Sequence, residues 1–391
     1  MDNSSNKQIK LWQVIVLIFA LFGLVIAVDQ SPYPKIASDW YRWKKLEHDL
    51  RCQGEAAWLR STAIKLIDQP NDRDPITNLS LAYLSPTGKL TTCVSGWMNK
   101  IDEEPKVETT TTYQFASVTK VFTADLVLDL IRKDKLSLED KVVNLLPELR
   151  GLVYRDDRVK NIKVKDLLSH RAGFDRQTLG INDDMFEPEP WCPNRVQQLA
   201  LVNLQFDPGT KVAYSNTGYC LLSRIAEEKY QQSYRDIVKQ RYQLSNFENF
   251  DFASDDSSLP ITNSAIKLLD KSYNYESLAS VAGLYGDASS LVTIVHDMEK
   301  SQRPNITNRP NNGACDISVA RGCHGFMGYE YSTDSHLRFY WRDGSMVSVA
   351  ALLILDDKGG TMAMLTNVRK DPNHISQLVE YIYQYRLANN I

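Results

Sequence analysis

The chain has 391 residues, 43% of them hydrophobic and 24% charged, with a formal net charge of −3. This is the composition of an ordinary globular protein with one large or two interleaved domains, without a repeat of 20–50 residues or a low-complexity tract. The faintly acidic balance and the lack of any basic run exclude nucleic acid as the main partner.

The N-terminus departs from that composition. Residues 11–28, LWQVIVLIFALFGLVIAV, contain one strongly polar side chain, Gln13. As a helix this run spans roughly 27 Å, close to the hydrocarbon thickness of a bilayer. Lys7 and Lys10 precede it and the next basic residue is Lys35, which predicts a cytoplasmic N-terminus and an external remainder. The length of the run favours a membrane anchor over a cleaved signal peptide. Ala27 still offers a peptidase site, so secretion after cleavage is the alternative. Residues 1–28 therefore read as anchor or signal, 29–45 as linker and 46–391 as the folded domain, periplasmic or extracellular.

Export permits disulfides among Cys52, Cys93, Cys192, Cys220, Cys315 and Cys323. Cys315 and Cys323 bracket a short loop and are the leading pair. Cys220, inside a helical pattern, reads equally well as a buried free thiol. There is no C-x-x-C, and the six histidines lack ligand spacing, so the sequence implies no metal and no cofactor.

Along the folded part, residues 40–66 carry a helical mixture of aromatic, leucine and charged positions. NLSLAYLS (78–85) and LTTCVSGW (90–97) are strand-like runs joined by PTGK, a hairpin signal. TTYQFASVTKVFTADLVLDL (111–130) begins β-leaning and turns helical near Ser117. Residues 135–275 are mostly short helices and loops, among them VKDLLSHRAGF (164–174) and YSNTGYCLLSRIAEEKY (214–230). VAGLYGDASSLVTIVHDMEK (281–300) reads as a Gly-rich turn followed by a helix. From residue 325 the texture changes to strands, and a helix ends the chain. Strands at both ends predict an α+β fold, an antiparallel sheet flanked by helices, with 46–134 and 276–391 forming its α/β part. Residues 135–275 form a mainly helical subdomain.

Ser117 and Lys120 are three residues apart, so on a helix they share a face, and a helix N-terminus favours developing negative charge. A buried lysine can serve as a neutral base on such a serine. The spacing alone is cheap: it recurs at Ser4/Lys7 and Ser264/Lys267, and a capping hydroxyl gives the same pattern. Tyr214-Ser215-Asn216 adds a phenol that can relay a proton and an amide that can donate to a substrate carbonyl while accepting from Lys120.

With these residues in place, FASVTKVFTA, LLSHRAGF, FDPGTKVAYSNTGYCLLSRIAE and VAGLYGDASSL resemble, in order and rough spacing, the serine β-lactamase/penicillin-binding-protein superfamily. The similarity is to its class C β-lactamase branch with related esterases and D-alanyl-D-alanine peptidases, over about residues 75–385. The resemblance implies a β-lactamase/transpeptidase-like fold whose nucleophile, Ser117, opens a helix between two subdomains. Lys120 and Tyr214 would be its base, with no cofactor and a small-molecule or peptidoglycan-type peptide substrate. It implies an acyl-enzyme serine hydrolase acting on an ester, amide or D-amino-acid peptide. The rival is a catalytically silent cell-wall or protein binding module that kept the fold.

The family's third motif, K-[ST]-G or H-x-G on an edge strand, has its best-placed match in Arg342-Asp343-Gly344. The competitor is Lys358-Gly359-Gly360, whose composition reads as a hairpin turn. Arginine cannot act as a base. Asp343 is expected to place negative charge beside the spot that receives a substrate carboxylate, with the alternative that Asp343 and Arg342 both simply face solvent. Gly344 lets a substrate lie along the strand, and the N–H of Ser345 would complete an oxyanion hole with that of Ser117. Trp191 and Trp341 are read as packing, with a cleft wall as the alternative.

Overall fold

The computed structural model describes residues 33–68, 75–98, 101–174, 185, 189–253, 273–300, 302–310, 315–346 and 348–389. The anchor assigned to 11–28 lies outside them. Among the described residues no helix is long and apolar enough to cross a membrane. Much of the expected linker is helical: α1 runs Tyr33–Asp49. Its Arg42 and Leu46 are buried, and the Leu46 carbonyl accepts from Ser95 Oγ at 2.6 Å, so the segment belongs to the folded body.

After α1 come β1 (Arg51–Gln53), α2 (Ala57–Ile67), β2 (Asn78–Leu84), β3 (Leu90–Gly96) and the short β4 (Tyr113–Gln114). A 3₁₀ turn, Ala116–Val118, leads into α3 (Thr119–Arg132). The helical middle contains α4 (Val142–Leu145), α5 (Val164–Leu168), α6 (Asn216–Tyr230), α7 (Tyr234–Arg241), β5 (Asp251–Phe252) and α8 (Tyr275–Leu278). The chain returns through β6 (Leu284–Gly286), α9 (Ala288–Glu299), β7 (Cys323–His324), β8 (Tyr329–Asp334), β9 (Leu337–Met346), β10 (Val349–Asp356), β11 (Thr361–Thr366) and α10 (Pro372–Ala388).

The main sheet has strand order β1-β3-β2-β11-β10-β9-β8-β7, and each neighbouring pair is antiparallel. Both chain ends build it, because β2 pairs with β11, Ala82 opposite Ala363. The hairpin turns sit where left-handed backbone demands glycine: Gly88 at φ +80 between β2 and β3, and Gly359 at φ +90 between β10 and β11. Lys358-Gly359-Gly360 is thus a turn and not the third motif.

Side-chain alternation gives the sheet two buried faces. In β10, Ala351, Leu353 and Leu355 join the core around α3 and α9, whereas Leu352 and Ile354 join the core with α2 and α10. Helix α3 is buried from Thr119 to Leu130. Its two buried acids do not stand alone: Asp125 pairs with Arg132 and Arg241, and Asp129 with Arg132, Lys133 and Arg241. Such pairing is what lets carboxylates enter a core.

Cysteines join as Cys52–Cys93, Cys192–Cys220 and Cys315–Cys323. The last is the pair expected from its short loop. Cys220 is not a free thiol: it faces the loop before Val196 and ties that loop to α6.

Candidate active site

Ser117 lies in the 3₁₀ turn where β4 ends and α3 begins. The preceding Ala116 has φ +45, a conformation that costs an L-residue and here turns the chain so that a serine opens the helix. Phe115 holds the turn from both sides, its N–H donating to Leu284 O at 2.9 Å and its carbonyl accepting from Val118 N–H at 3.0 Å. Lys120, fully buried, donates to Ser117 Oγ at 3.2 Å and to Val281 O at 2.9 Å. The backbone of 280–284 is strapped to α3 again by Thr123 Oγ1, which donates to Ser280 O, and by Thr119 Oγ1, which accepts from Leu284 N–H.

Tyr214 reaches the same oxygen from the helical subdomain: its hydroxyl is 2.7 Å from Ser117 Oγ. It ends the loop before α6, whose N-cap Ser215 accepts from Gly218 N–H. Asn216 is the first residue of α6 and is buried. The expected trio of Ser117, Lys120 and Tyr214 is therefore assembled within hydrogen-bond reach from residues 97 positions apart.

Strand β9 supplies the third side. Among the described residues its second half has a strand partner only on the β10 side, since the β8 pairing stops at Tyr329 opposite Trp341. Arg342, 1% exposed, points to the face of Ser117 and donates through Nη2 to the Tyr214 hydroxyl at 3.0 Å. Burial opposes its charge, but Tyr214, Tyr219 and Asp343 outweigh burial and raise its pKa. Gly344 follows on the same face: a Cβ there would lie 2.2 Å from Phe115 O and 2.9 Å from Ser117 N. Only glycine lets the strand come this close to the nucleophile's turn. Ser345 is next along the same strand, its Oγ buried without a hydrogen-bond partner.

Asp343 corrects an expectation. The period of two turns it to the opposite face, where Arg321 Nη2 meets Oδ2 at 2.8 Å and Nη1 meets Oδ1 at 3.3 Å. Arg321 also lies over the Tyr329 and Trp341 rings and donates to Ser376 Oγ. Its charge is compensated there and does not sit beside Ser117. Trp341 occupies that far face too, its Nε1 donating to Ala320 O, so it packs and does not wall the cleft. Trp191 packs in the core on the α3 side.

A further participant comes from LLSHRAGF. His170 follows α5 with φ +54 and is 2% exposed. Its Nδ1 accepts from Ser215 N–H at 3.1 Å, and its ring lies 4.5 Å from the Tyr214 ring. A signal for it existed, a histidine in a Gly-ended loop after a helix, but nothing local says that it meets Tyr214. Burial first, then His324, Arg342 and Lys120, push its pKa well below the usual value. Among the described residues no group of three or more His, Cys, Asp or Glu side chains is arranged to hold a metal.

The chain has relatives among known proteins. The family model Beta-lactamase matches residues 76–380. The chain belongs to the beta-lactamase family. Within it, the chain is 30% identical to the Putative fimbrial assembly protein FimD, serogroup D, of Dichelobacter nodosus, over 97% of each chain. A 34% share of this chain is 35% identical to 34% of the Penicillin-binding protein 4 of Amycolatopsis lactamdurans. Among solved structures, the D-amino acid amidase from Ochrobactrum anthropi SV3 superposes with TM-score 0.63 at 16% identity, covering 80% of this chain and 96% of the amidase. The Beta-Lactamase/D-Alanine Carboxypeptidase from Pseudomonas syringae gives 0.62 at 17%, covering 84% and 98%. At such identities these beta-lactamase-like structures speak for the fold, an antiparallel sheet with helices in the β-lactamase/transpeptidase arrangement.

Proposed function

We propose that this protein is a serine hydrolase that forms an acyl-enzyme on Ser117, taking an ester, amide or D-amino-acid peptide. The observation that carries this reading is the convergence on Ser117 Oγ of Tyr214 OH at 2.7 Å and Lys120 Nζ at 3.2 Å, with Arg342 donating to the same Tyr214 oxygen. In its phenolate form, which the guanidinium favours, Tyr214 takes the Ser117 proton and becomes the phenol, with Lys120 beside it. The alkoxide attacks the substrate carbonyl, and the resulting oxyanion lies between the N–H groups of Ser117 and Ser345. Tyr214 or Lys120 then returns the proton to the leaving alcohol or amine. Water, deprotonated by the same pair, adds to the acyl-enzyme and releases the acid and Ser117. Asn216 orients the substrate carbonyl. With Asp343 turned away and paired, its charge does not bar a substrate carboxylate.

The domain works outside the cytoplasm in this reading, held by residues 11–28 or secreted. Three disulfides fit an oxidising compartment. A second reading has one specific observation in its favour, the similarity to a fimbrial assembly protein along 97% of the chain. In that reading the fold is a silent binding module in surface-appendage assembly.

The test is a hydrolysis screen of the full chain in detergent against short-chain p-nitrophenyl esters, D-Ala-D-Ala peptides and a β-lactam, with Ser117→Ala as control. Turnover of at least one class that disappears in Ser117→Ala is expected. No turnover of any class, or equal turnover by the variant, would favour the binding module.

A further inference from the structure

Tyr214 sits in a loop, yet its hydroxyl must be held to a few tenths of an ångström if it is to take a proton from Ser117. The residue that holds it is His170, through three separate contacts. Its carbonyl accepts from Ala213 N–H at 2.8 Å and its Nδ1 accepts from Ser215 N–H at 3.1 Å, so the residues on both sides of Tyr214 are pinned to one histidine. Its ring then lies against the Tyr214 ring at 4.5 Å and 36°. The left-handed backbone at His170, φ +54, is what lets one residue present both its carbonyl and its ring to the same loop.

The Ser215 N–H bond also fixes the tautomer. With Nδ1 accepting, the proton of the neutral ring is on Nε2, which lies 3.5 Å from Arg342 Nη1. Two donors facing each other cannot bond. The guanidinium therefore turns its other nitrogen, Nη2, onto the Tyr214 oxygen at 3.0 Å. An imidazolium would bring N–H groups against both Ser215 N–H and Arg342, with Lys120 also nearby, so the site keeps this ring neutral. Tyr219 at 5.0 Å and His324 at 4.8 Å enclose it on its remaining sides.

We propose that His170 is a positioning residue of this active site, one that clamps the loop around Tyr214 and directs Arg342 onto its hydroxyl. This rests on the serine hydrolase reading. The arginine of the third motif is then part of a matched set with His170. Gly328 lies against the same stretch of β9: a Cβ there would meet Trp341 O at 2.3 Å and Arg342 Cδ at 3.1 Å.

The discriminating pair is His170→Asn, whose amide oxygen can take the Nδ1 position and accept from Ser215 N–H, and His170→Ala, which cannot. If His170→Ala does not fold, His170→Gln replaces it, since its amide reaches only the Nε2 position. Two readouts are compared over the same pH range: the second-order rate at which a fluorophosphonate phosphonylates Ser117, and the ¹³Cζ titration of Tyr214, assigned by its loss in Tyr214→Phe. His170→Ala is expected to slow phosphonylation about 100-fold and to move its pH midpoint and the tyrosine titration together, whereas His170→Asn recovers to within about tenfold. A rate in His170→Ala within about threefold of wild type overturns the proposal. So does equal loss in both variants with the tyrosine titration unmoved, the mark of a merely structural role. The tyrosine titration needs no chemistry at Ser117. A wild type that is not phosphonylated would therefore defeat the hydrolase reading, while the NMR comparison still decides the role of His170.

Discussion

At the scale of single residues, the site depends on how closely three segments approach one hydroxyl. Tyr214→Phe removes the oxygen 2.7 Å from Ser117 Oγ and leaves the ring packed on His170, so acylation should fall about 10²- to 10⁴-fold, with a modest fall in melting temperature because Arg342 Nη2 loses its acceptor. Comparing single-turnover acylation rates with thermal unfolding checks both halves. Gly344→Ala should be worse on both counts. Its Cβ would press on Phe115 O and Ser117 N, moving the nucleophile's turn at a cost of about 1–3 kcal/mol in stability. Asp343→Asn is the contrasting case. It faces Arg321 across the sheet from Ser117, so acylation should stay within about threefold, and urea unfolding should show a loss under about 1 kcal/mol for a partly exposed pair. The sequence alone placed Ser117, Lys120 and Tyr214 together, because a serine, lysine and tyrosine in an ordered set of motifs carry chemistry that few other arrangements need. It misplaced the charge of Asp343. The alternation that turns residue 343 away from 342 and 344 is visible in the string, but its partner Arg321 lies 22 positions upstream in a loop.

At the scale of elements, what was readable followed from periodicity and turn chemistry. The β2–β3 and β10–β11 hairpins announce themselves by alternating apolar runs around glycines that the structure holds at positive φ. Strands at both ends of the chain predicted one sheet built by both, but not that β2 would be the strand to meet β11. The middle of the chain was legible only as helical in texture. Apart from α6 and α7, many of its pieces are single turns such as Val142–Leu145 and Pro147–Leu149, too short to show a 3.6-residue period. Cys220 was ambiguous for a related reason: a helical cysteine looks the same in sequence with or without a partner, and Cys192 lies in an irregular loop. That bond ties the 190–195 loop to α6, the helix that follows Tyr214. Replacing Cys192 and Cys220 by serine should therefore lower stability by about 2–4 kcal/mol. Chemical denaturation of the double variant checks this, and an unchanged midpoint would show that the loop is held by other contacts.

Over the whole molecule, buried histidines whose pKa burial lowers couple stability to pH, His324 and His170 more strongly than His296. His324 is pushed down to about 3 from 6.5, by burial first and then by Arg342, with Arg171 and Arg321 adding to it, and His170 is lowered by burial, His324, Arg342 and Lys120. Their unfolded forms bind protons that the folded forms refuse. Stability from His324 is therefore complete above about pH 6.5 and falls as pH drops towards 3, by about 2 kcal/mol at pH 5, and His170 adds a loss in the same direction. Asp156, held at about 2 chiefly by Arg158, adds a loss only at lower pH, as its unfolded form protonates below about 4. His324→Leu should flatten the slope of unfolding free energy between pH 6 and 4 by about one proton, measured by urea titration at each pH. An unaltered slope would show that His324 titrates normally.

The central claim is that Ser117 is a nucleophile armed by Tyr214 and Lys120, and the most direct test is the mass of the enzyme after reaction with a fluorophosphonate. One adduct per chain, mapped by peptide mass spectrometry to Ser117, absent in Ser117→Ala and formed far more slowly in Tyr214→Phe, is the predicted result. An adduct that persists in Ser117→Ala, or no adduct on the folded wild type, would contradict it.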